Sequence, residues 1–170
     1  LRQQAQIAEF DALAPGRAHG VLLDVTDRKA IPAAVSSGIE RLGGKLDILV
    51  NNAGFGMFGA LEELDEDQID DAIDANFHGT VFVTRAALPA IRASRGAIIN
   101  ISSVAGVYPY PGGNAYGGTK AFVSQFSLGL RSDLHGTGVR VTTIEPGMAE
   151  TEFTVVRTHG DQAASDTLYA

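Results

Sequence analysis

Tyr116-Gly-Gly-Thr-Lys120 sets a phenol and an ammonium one helical turn apart, on the same face of a helix that carries both. A free tyrosine titrates at about 10 and is a poor base at neutral pH. A lysine charge close to the phenolic oxygen favours its anion and turns the tyrosine into a usable proton acceptor. The chemistry within reach is proton exchange with an alcohol or a carbonyl oxygen. Alone, the spacing also describes an exposed Tyr/Lys packing pair, so the flanking residues have to decide. Ser103, thirteen residues upstream, adds a hydroxyl that could bond the same substrate oxygen.

The elements that position these groups follow from periodicity. Leu1, Ala5, Ala8 and Ala12 mark one face of a helix stopped by Pro15-Gly16. Val21-Leu-Leu-Asp-Val25 predicts a buried strand, and Thr26 or Asp27 caps a helix reaching about Leu42, with Pro32 tolerable only in its first turn. Leu46-Asp-Ile-Leu-Val50 predicts a second strand, ending in Asn51-Asn-Ala-Gly54. One long helix is expected over about Asp67 to Ala93, a third strand at Ala97-Ile-Ile-Asn-Ile101, a helix from about Ala115 to His135, and a fourth strand at Val139–Ile144 that breaks at Pro146-Gly147. Strands alternating with helices predict an α/β, Rossmann-like, doubly wound parallel sheet with helices on both faces. No internal repeat or linker divides the 170 residues, so a single domain is expected, with a loop or lid over the last twenty.

Ligands of open parallel sheets bind at the carboxyl ends of the strands. Small and polar residues gather there: Asp24-Val25, Asn51-Asn-Ala-Gly54, Ser102-Ser103 and Pro146-Gly147, with Tyr116 and Lys120 opening the helix after the third strand. Composition narrows the partners to small molecules. A net charge of -7 leaves no basic stripe for nucleic acid or an anionic membrane. The absence of cysteine removes disulfides, thiol nucleophiles and Cys-based metal sites. The four histidines lack ligand spacing, and the eight acidic residues between Glu62 and Asp74 read as a solvated helix start, so no metal site is expected. With no apolar run of membrane-spanning length and no signal-like start, a cytoplasmic location is expected.

Asp24-Val25, Asn51-Asn-Ala-Gly54, Asn76, Ser103, Tyr116-x-x-x-Lys120 and Pro146-Gly147 with Thr151, in this order over nearly the whole chain, resemble the short-chain dehydrogenase/reductase family. Gly112-Gly-Asn-Ala-Tyr116, Lys120-Ala-Phe-Val, Gln125-Phe-Ser-Leu, Ser132-Asp-Leu-His-Gly136 and Ile144-Glu-Pro-Gly147 look most like its NADP-dependent 3-hydroxy acid dehydrogenases, which oxidise serine and allo-threonine. The resemblance implies hydride transfer to or from NADP, with NAD the alternative. Tyr116 would exchange the proton, Lys120 would favour the Tyr116 anion and bond the nicotinamide ribose, Ser103 would hold the reacting oxygen, and Asn76 would hold a water in a relay ending at Lys120. Asp24 and Val25 would meet the adenine; Asn51, Ala53 and Gly54 would line the cofactor; Pro146, Gly147 and Met148 would pass the nicotinamide, and Thr151 would reach its carboxamide or the pyrophosphate. Asn51 could instead bond neighbouring strands. Arg157 would grip a substrate carboxylate or else lie on the surface, and Tyr108 and Tyr110 could shape the pocket.

The same resemblance implies a homodimer or homotetramer through the helices carrying Asn76 and Tyr116, with Phe122, Phe126 and Leu130 as an apolar stripe that an internal core could equally use. Gly117, Gly118 and Gly129, costly in a helix, suggest close packing of that helix, against the cofactor near its start and against a partner subunit further along. The family opens with a strand, a glycine-rich phosphate-binding turn and a helix, and only about twenty residues precede Val21, too few for a βαβ unit of about 30. A domain truncated at both ends is therefore expected, binding cofactor poorly by itself. Two readings stand at this point: an NADP-dependent oxidoreductase, and a catalytically silent fragment serving as a dimerisation or interaction module.

Overall fold

The computed structural model describes residues 4–149. Three parallel strands, β1 (Ile48–Asn51), β2 (Ala97–Ile101) and β3 (Arg140–Ile144), form a sheet in that order. The register aligns Leu49 with Ile98 and Ile98 with Val141, and two residues further on it aligns Asn51 with Asn100 and Asn100 with Thr143. An apolar row is thus followed, toward the carboxyl ends, by a polar row on the same face.

Among the described residues five α-helices accompany the sheet: α1 (Gln4–Leu13), α2 (Ile31–Arg41), α3 (Glu66–Ile73), α4 (Thr80–Ser94) and α5 (Asn114–Asp133). Helix α4 connects β1 to β2 and packs on both, and α5 does the same for β2 and β3. Successive right-handed crossovers running the same way across a sheet put their helices on one face. The core lies there, built from Ile91 of α4, Ile98, Leu130 and Leu134 at the end of α5, and Val141, with Leu49, Leu88 and Phe126 packed around it. On the opposite face Ile48, Val50 and Ile144 are about half exposed. The parallel sheet with helices matches the expected class, and the described residues furnish its helical layer on one face.

Two expected elements differ. Val21–Val25 forms no ladder, none of its residues is buried, and the chain turns at Val25–Thr26. An apolar run favours burial, whereas a strand needs a neighbour to bond, and among the described residues the sheet begins at β1. The single helix expected over about Asp67 to Ala93 is divided: α3 passes into a π-helical segment, Asp74–Gly79, and then into α4. A π turn takes an additional residue per turn without altering composition, so periodicity does not reveal it. At its end Gly79 lies against Val25, where a β-carbon would stand 2.9 Å from Val25 Cγ2. Pro32 does lie in the first turn of α2, but the helix starts later than expected: its N-cap is Ala30, with no side-chain bond, and the expected cap Asp27 instead closes the preceding turn, its Oδ1 accepting from the amides of Lys29 and Ala30.

Candidate active site

Tyr116 and Lys120 are both buried in the first turns of α5, at 5 % and 8 % exposure, and the Lys120 ammonium stands 5.8 Å from the centre of the Tyr116 ring. Lys120 Nζ donates to the carbonyl of Ile101, the last residue of β2, at 3.0 Å. Burial disfavours its charge and pushes its pKa down from 10.5 to about 8. An ammonium carries three hydrogens and Ile101 takes one, so the remaining donor capacity suits hydroxyl acceptors such as those of a ribose. Tyr116 packs in a small cluster with Met57 and Ala72, walled by Phe55, Leu64, Ile69, Ala105 and Ala115.

A tight joint follows Ser103. The serine precedes a 3-10 turn, Val104–Gly106, and its Oγ accepts from the Ala105 amide at 3.1 Å. That turn lies directly on α5: a β-carbon on Gly106 would stand 2.7 Å from the Ala121 nitrogen, and one on Gly117 would stand 2.7 Å from the Ala105 carbonyl oxygen. Neither site has room for a larger residue. Gly118 and Gly129 have no atom of the described chain within 4 Å of such a position, whereas Gly117 is packed within the chain itself. The ends of β2 and β3 are stitched as well, with Ser102 N donating to Ile144 O at 2.8 Å and Val104 N to Pro146 O at 3.1 Å. Buried Ser102 donates through Oγ to the Lys120 carbonyl at 2.7 Å.

Asn76 sits in the π-helical segment, 1 % exposed. Its Nδ2 donates to Phe55 O and to Thr119 Oγ1, each at 3.0 Å, and its Oδ1 accepts from Phe55 N at 3.0 Å. The side chain therefore pins the turn after β1 to α5, one residue from Lys120. Thr119 Oγ1 passes the connection on by donating to Tyr116 O at 2.8 Å. Asn51 similarly turns its side chain inward, donating to Thr84 Oγ1 and to Asn100 Oδ1 at 2.8 Å; Asn100 donates to Ser127 Oγ at 2.8 Å, and Ser127 to Val123 O at 2.7 Å. This buried polar chain links α4, β1, β2 and α5. The Asn51 amide hydrogens are thus taken by Asn100 on the neighbouring strand and by Thr84 on α4.

Exposure varies among the remaining candidates. Asp24 is exposed, its Oδ1 accepting from Thr26 N and Oγ1, while Val25 is half-buried against Gly79. Ala53 is exposed and Gly54 half-buried; Pro146, Gly147 and Met148 are exposed. Tyr108 is exposed, and the Tyr110 ring lies over Gly113. Thr151 and Arg157 lie outside the described residues, as does the expected terminal loop or lid. Thr119, Asn100 and Ser127 were not singled out by sequence reasoning, and Ser102 was named only as part of a polar strand end. Asn100 carried a signal, since a polar residue within Ala97-Ile-Ile-Asn-Ile101 must find a buried partner.

A family model described as short chain dehydrogenase matches residues 2–162. Serine 3-dehydrogenase of Rhizobium radiobacter is 54% identical over 152 residues, covering 89% of this chain and 61% of the relative. Sulfoacetaldehyde reductase 2 of Chromohalobacter salexigens is 51% identical over 156 residues, covering 90% and 62%. Among solved structures, the closed form of serine dehydrogenase complexed with NADP+ superposes with a TM-score of 0.90 at 42% identity, covering 99% of this chain and 68% of that one. The chain spans about 61% of the length of these curated serine dehydrogenase relatives. With the strand order and the match over residues 2–162, the chain belongs to the short-chain dehydrogenase family.

Proposed function

We propose that this chain carries the catalytic half of an NADP-dependent oxidoreductase that interconverts a secondary alcohol and its carbonyl, with a 3-hydroxy acid such as serine or allo-threonine as substrate. The observation that carries the reading is the buried Tyr116–Lys120 pair in the first turns of α5, with Lys120 bonded to the last residue of β2 and the turn after Ser103 packed on the same helix. A silent module gains nothing from burying an ammonium whose charge burial disfavours, whereas a proton-transfer site uses that charge.

When bound, the nicotinamide supplies the acceptor or donor of a hydride. In oxidation, Tyr116 Oη takes the hydroxyl proton as the carbon loses hydride; in reduction it returns that proton to the oxygen. Lys120 favours the phenolate by its charge and offers its spare hydrogens to ribose hydroxyls. Ser103 Oγ bonds the reacting oxygen and fixes its distance from Tyr116. Asn76 holds the turn after β1 against α5 beneath Lys120, and a water relayed toward Lys120 would rest on the same joint. Asp24, Val25, Ala53, Gly54, Pro146, Gly147 and Met148 would line the cofactor, together with Thr151 and the backbone of Asn51.

The relatives' names point to one substrate feature. A serine dehydrogenase handles a carboxylate and a sulfoacetaldehyde reductase a sulfonate, so an anion near the reacting carbon is the shared requirement, and Arg157 would meet it. A single domain, assembling as a homodimer or homotetramer in the cytoplasm, completes the reading. Its support is the half-buried aromatic surface of Phe77 and Phe122, centroids 3.7 Å apart, and, among the described residues, the lack of any helix long and apolar enough to cross a membrane. The test is Tyr116→Phe in the full-length protein, assayed with NADP and serine or other 3-hydroxy acids. Turnover should vanish while NADP binding persists; retained turnover would refute the reading.

A further inference from the structure

We infer that Asn114 is a positioning residue for Tyr116, clamping the loop after β1 onto the start of α5. The inference rests on the acid-base reading of Tyr116 given above. Asn114 is the first residue of α5, and its Nδ2 donates to the carbonyl of Gly59 at 3.1 Å. The Gly59 amide in turn donates to Gly112 O at 3.1 Å, so Gly59 is held from both sides by the segment that leads into the helix.

Two aromatic rings complete the joint. Gly112, at φ +75°, lies under Phe58, where a β-carbon would stand 2.8 Å from the ring, and Gly113 lies under Tyr110, where one would stand 2.4 Å from it. At its other end the loop is tied by Asn76 to both the amide and the carbonyl of Phe55. Between the two ties, Met57 is buried in the cluster with Tyr116. The loop 55–59 is therefore a wall of the Tyr116 site stretched between two asparagines: Asn76 fixes one end and Asn114 the other. Release at Asn114 frees Met57, and the ring of Tyr116 loses the surface that sets its direction.

Asn114→Asp isolates this role. It preserves shape, and a carboxylate in the first turn suits the helix dipole, so α5 still starts there; but it cannot donate to the Gly59 carbonyl. In the full-length protein, kcat should fall about tenfold or more, as misplacement of a reacting group does, while KM for NADP stays nearly constant. Hydrogen exchange gives the second readout: the Gly59 amide should exchange faster and the Ser102 amide, bonded to Ile144 O, should not change. Gly113→Ala, which drives Tyr110 from its seat, should reproduce the kcat loss. Faster exchange at Gly59 with normal kcat would mean a clamp that positions nothing, and unchanged exchange would mean no clamp; either overturns the proposal. Tyr116→Phe run alongside separates the failures, because retained turnover there removes the acid-base reading and the clamp together, whereas lost turnover there with normal Asn114→Asp removes the clamp alone.

Discussion

Gly54 faces Asn76 so closely that a β-carbon on it would stand 2.5 Å from Asn76 Oδ1 and 3.9 Å from Lys120 Nζ. Asn76 cannot swing aside without giving up its bonds to Phe55 and Thr119. Gly54→Ala should therefore cost about 1–3 kcal/mol, the range for overpacking a filled site, measured as a lower urea midpoint with an unchanged slope. Gly118 is the contrasting case, with no atom within 4 Å of its would-be β-carbon. Gly118→Ala should stabilise by up to about 1 kcal/mol through helix propensity. Equal effects at the two sites would contradict this packing.

Lys120 predicts a pH dependence of definite sign. Its pKa falls from 10.5 to about 8 in the folded chain because burial disfavours the charge. Between those values the unfolded state holds the proton and the folded state does not, so stability rises with pH from about 8 to 10.5, by about 3 kcal/mol over the window. Below pH 8 both states are protonated and the cost of the buried charge is borne in full. Lys120→Met should lack the rise. The comparison to make is the difference between the two proteins' unfolding free energies across this range, because Met also strands the Ile101 carbonyl at every pH.

Asp74 tests the opposite limit. His78 and Arg28 bond its carboxylate, at 2.6 and 3.1 Å, and hold its pKa below the ordinary value. Such a depression contributes stability above the unfolded pKa that is lost as pH falls through the folded one. The site is open to water, however, and exposed pairs are worth about 0–1 kcal/mol. Asp74→Asn should change unfolding free energy at pH 7 by less than about 1 kcal/mol, and a larger loss would mean that the π-helical segment depends on this pair.

Much of this arrangement was legible because periodicity reports burial. The strands at Ile48, Ala97 and Arg140 and the helix opening at Asn114 fall near where apolar spacing put them, and Tyr116 and Lys120 share a helix face because i and i+4 must. Val21–Val25 had a strand's composition, but pairing depends on a neighbour that a local pattern does not contain. The π-helical turn at Asp74–Gly79 was hidden for a related reason, since widening one turn leaves residue types unchanged. Side-chain direction was least visible: Asn51 read as a cofactor-lining residue or a strand bridge, and only the register that aligns it with Asn100 decides where its amide hydrogens go.

That register makes the Asn51–Asn100 pair a sensitive point. Asn100 is fully buried, accepts from Asn51 Nδ2 and donates to Ser127 Oγ, each at 2.8 Å. Asn100→Leu removes both bonds and leaves one Asn51 amide hydrogen facing an apolar group, while the Ser127 hydroxyl keeps its bond to Val123 O. A stranded donor costs about 1–3 kcal/mol, so the single substitution should lower stability by about that much. Adding Asn51→Leu removes the stranded donor, and the double variant should then lose less than the sum of the two singles by about 1 kcal/mol or more. Denaturant unfolding of the four proteins closes the cycle. Additive losses would mean that Asn51 and Asn100 contribute independently, each through its own bond to Thr84 or Ser127, and that no polar chain joins α4 to α5 through the sheet.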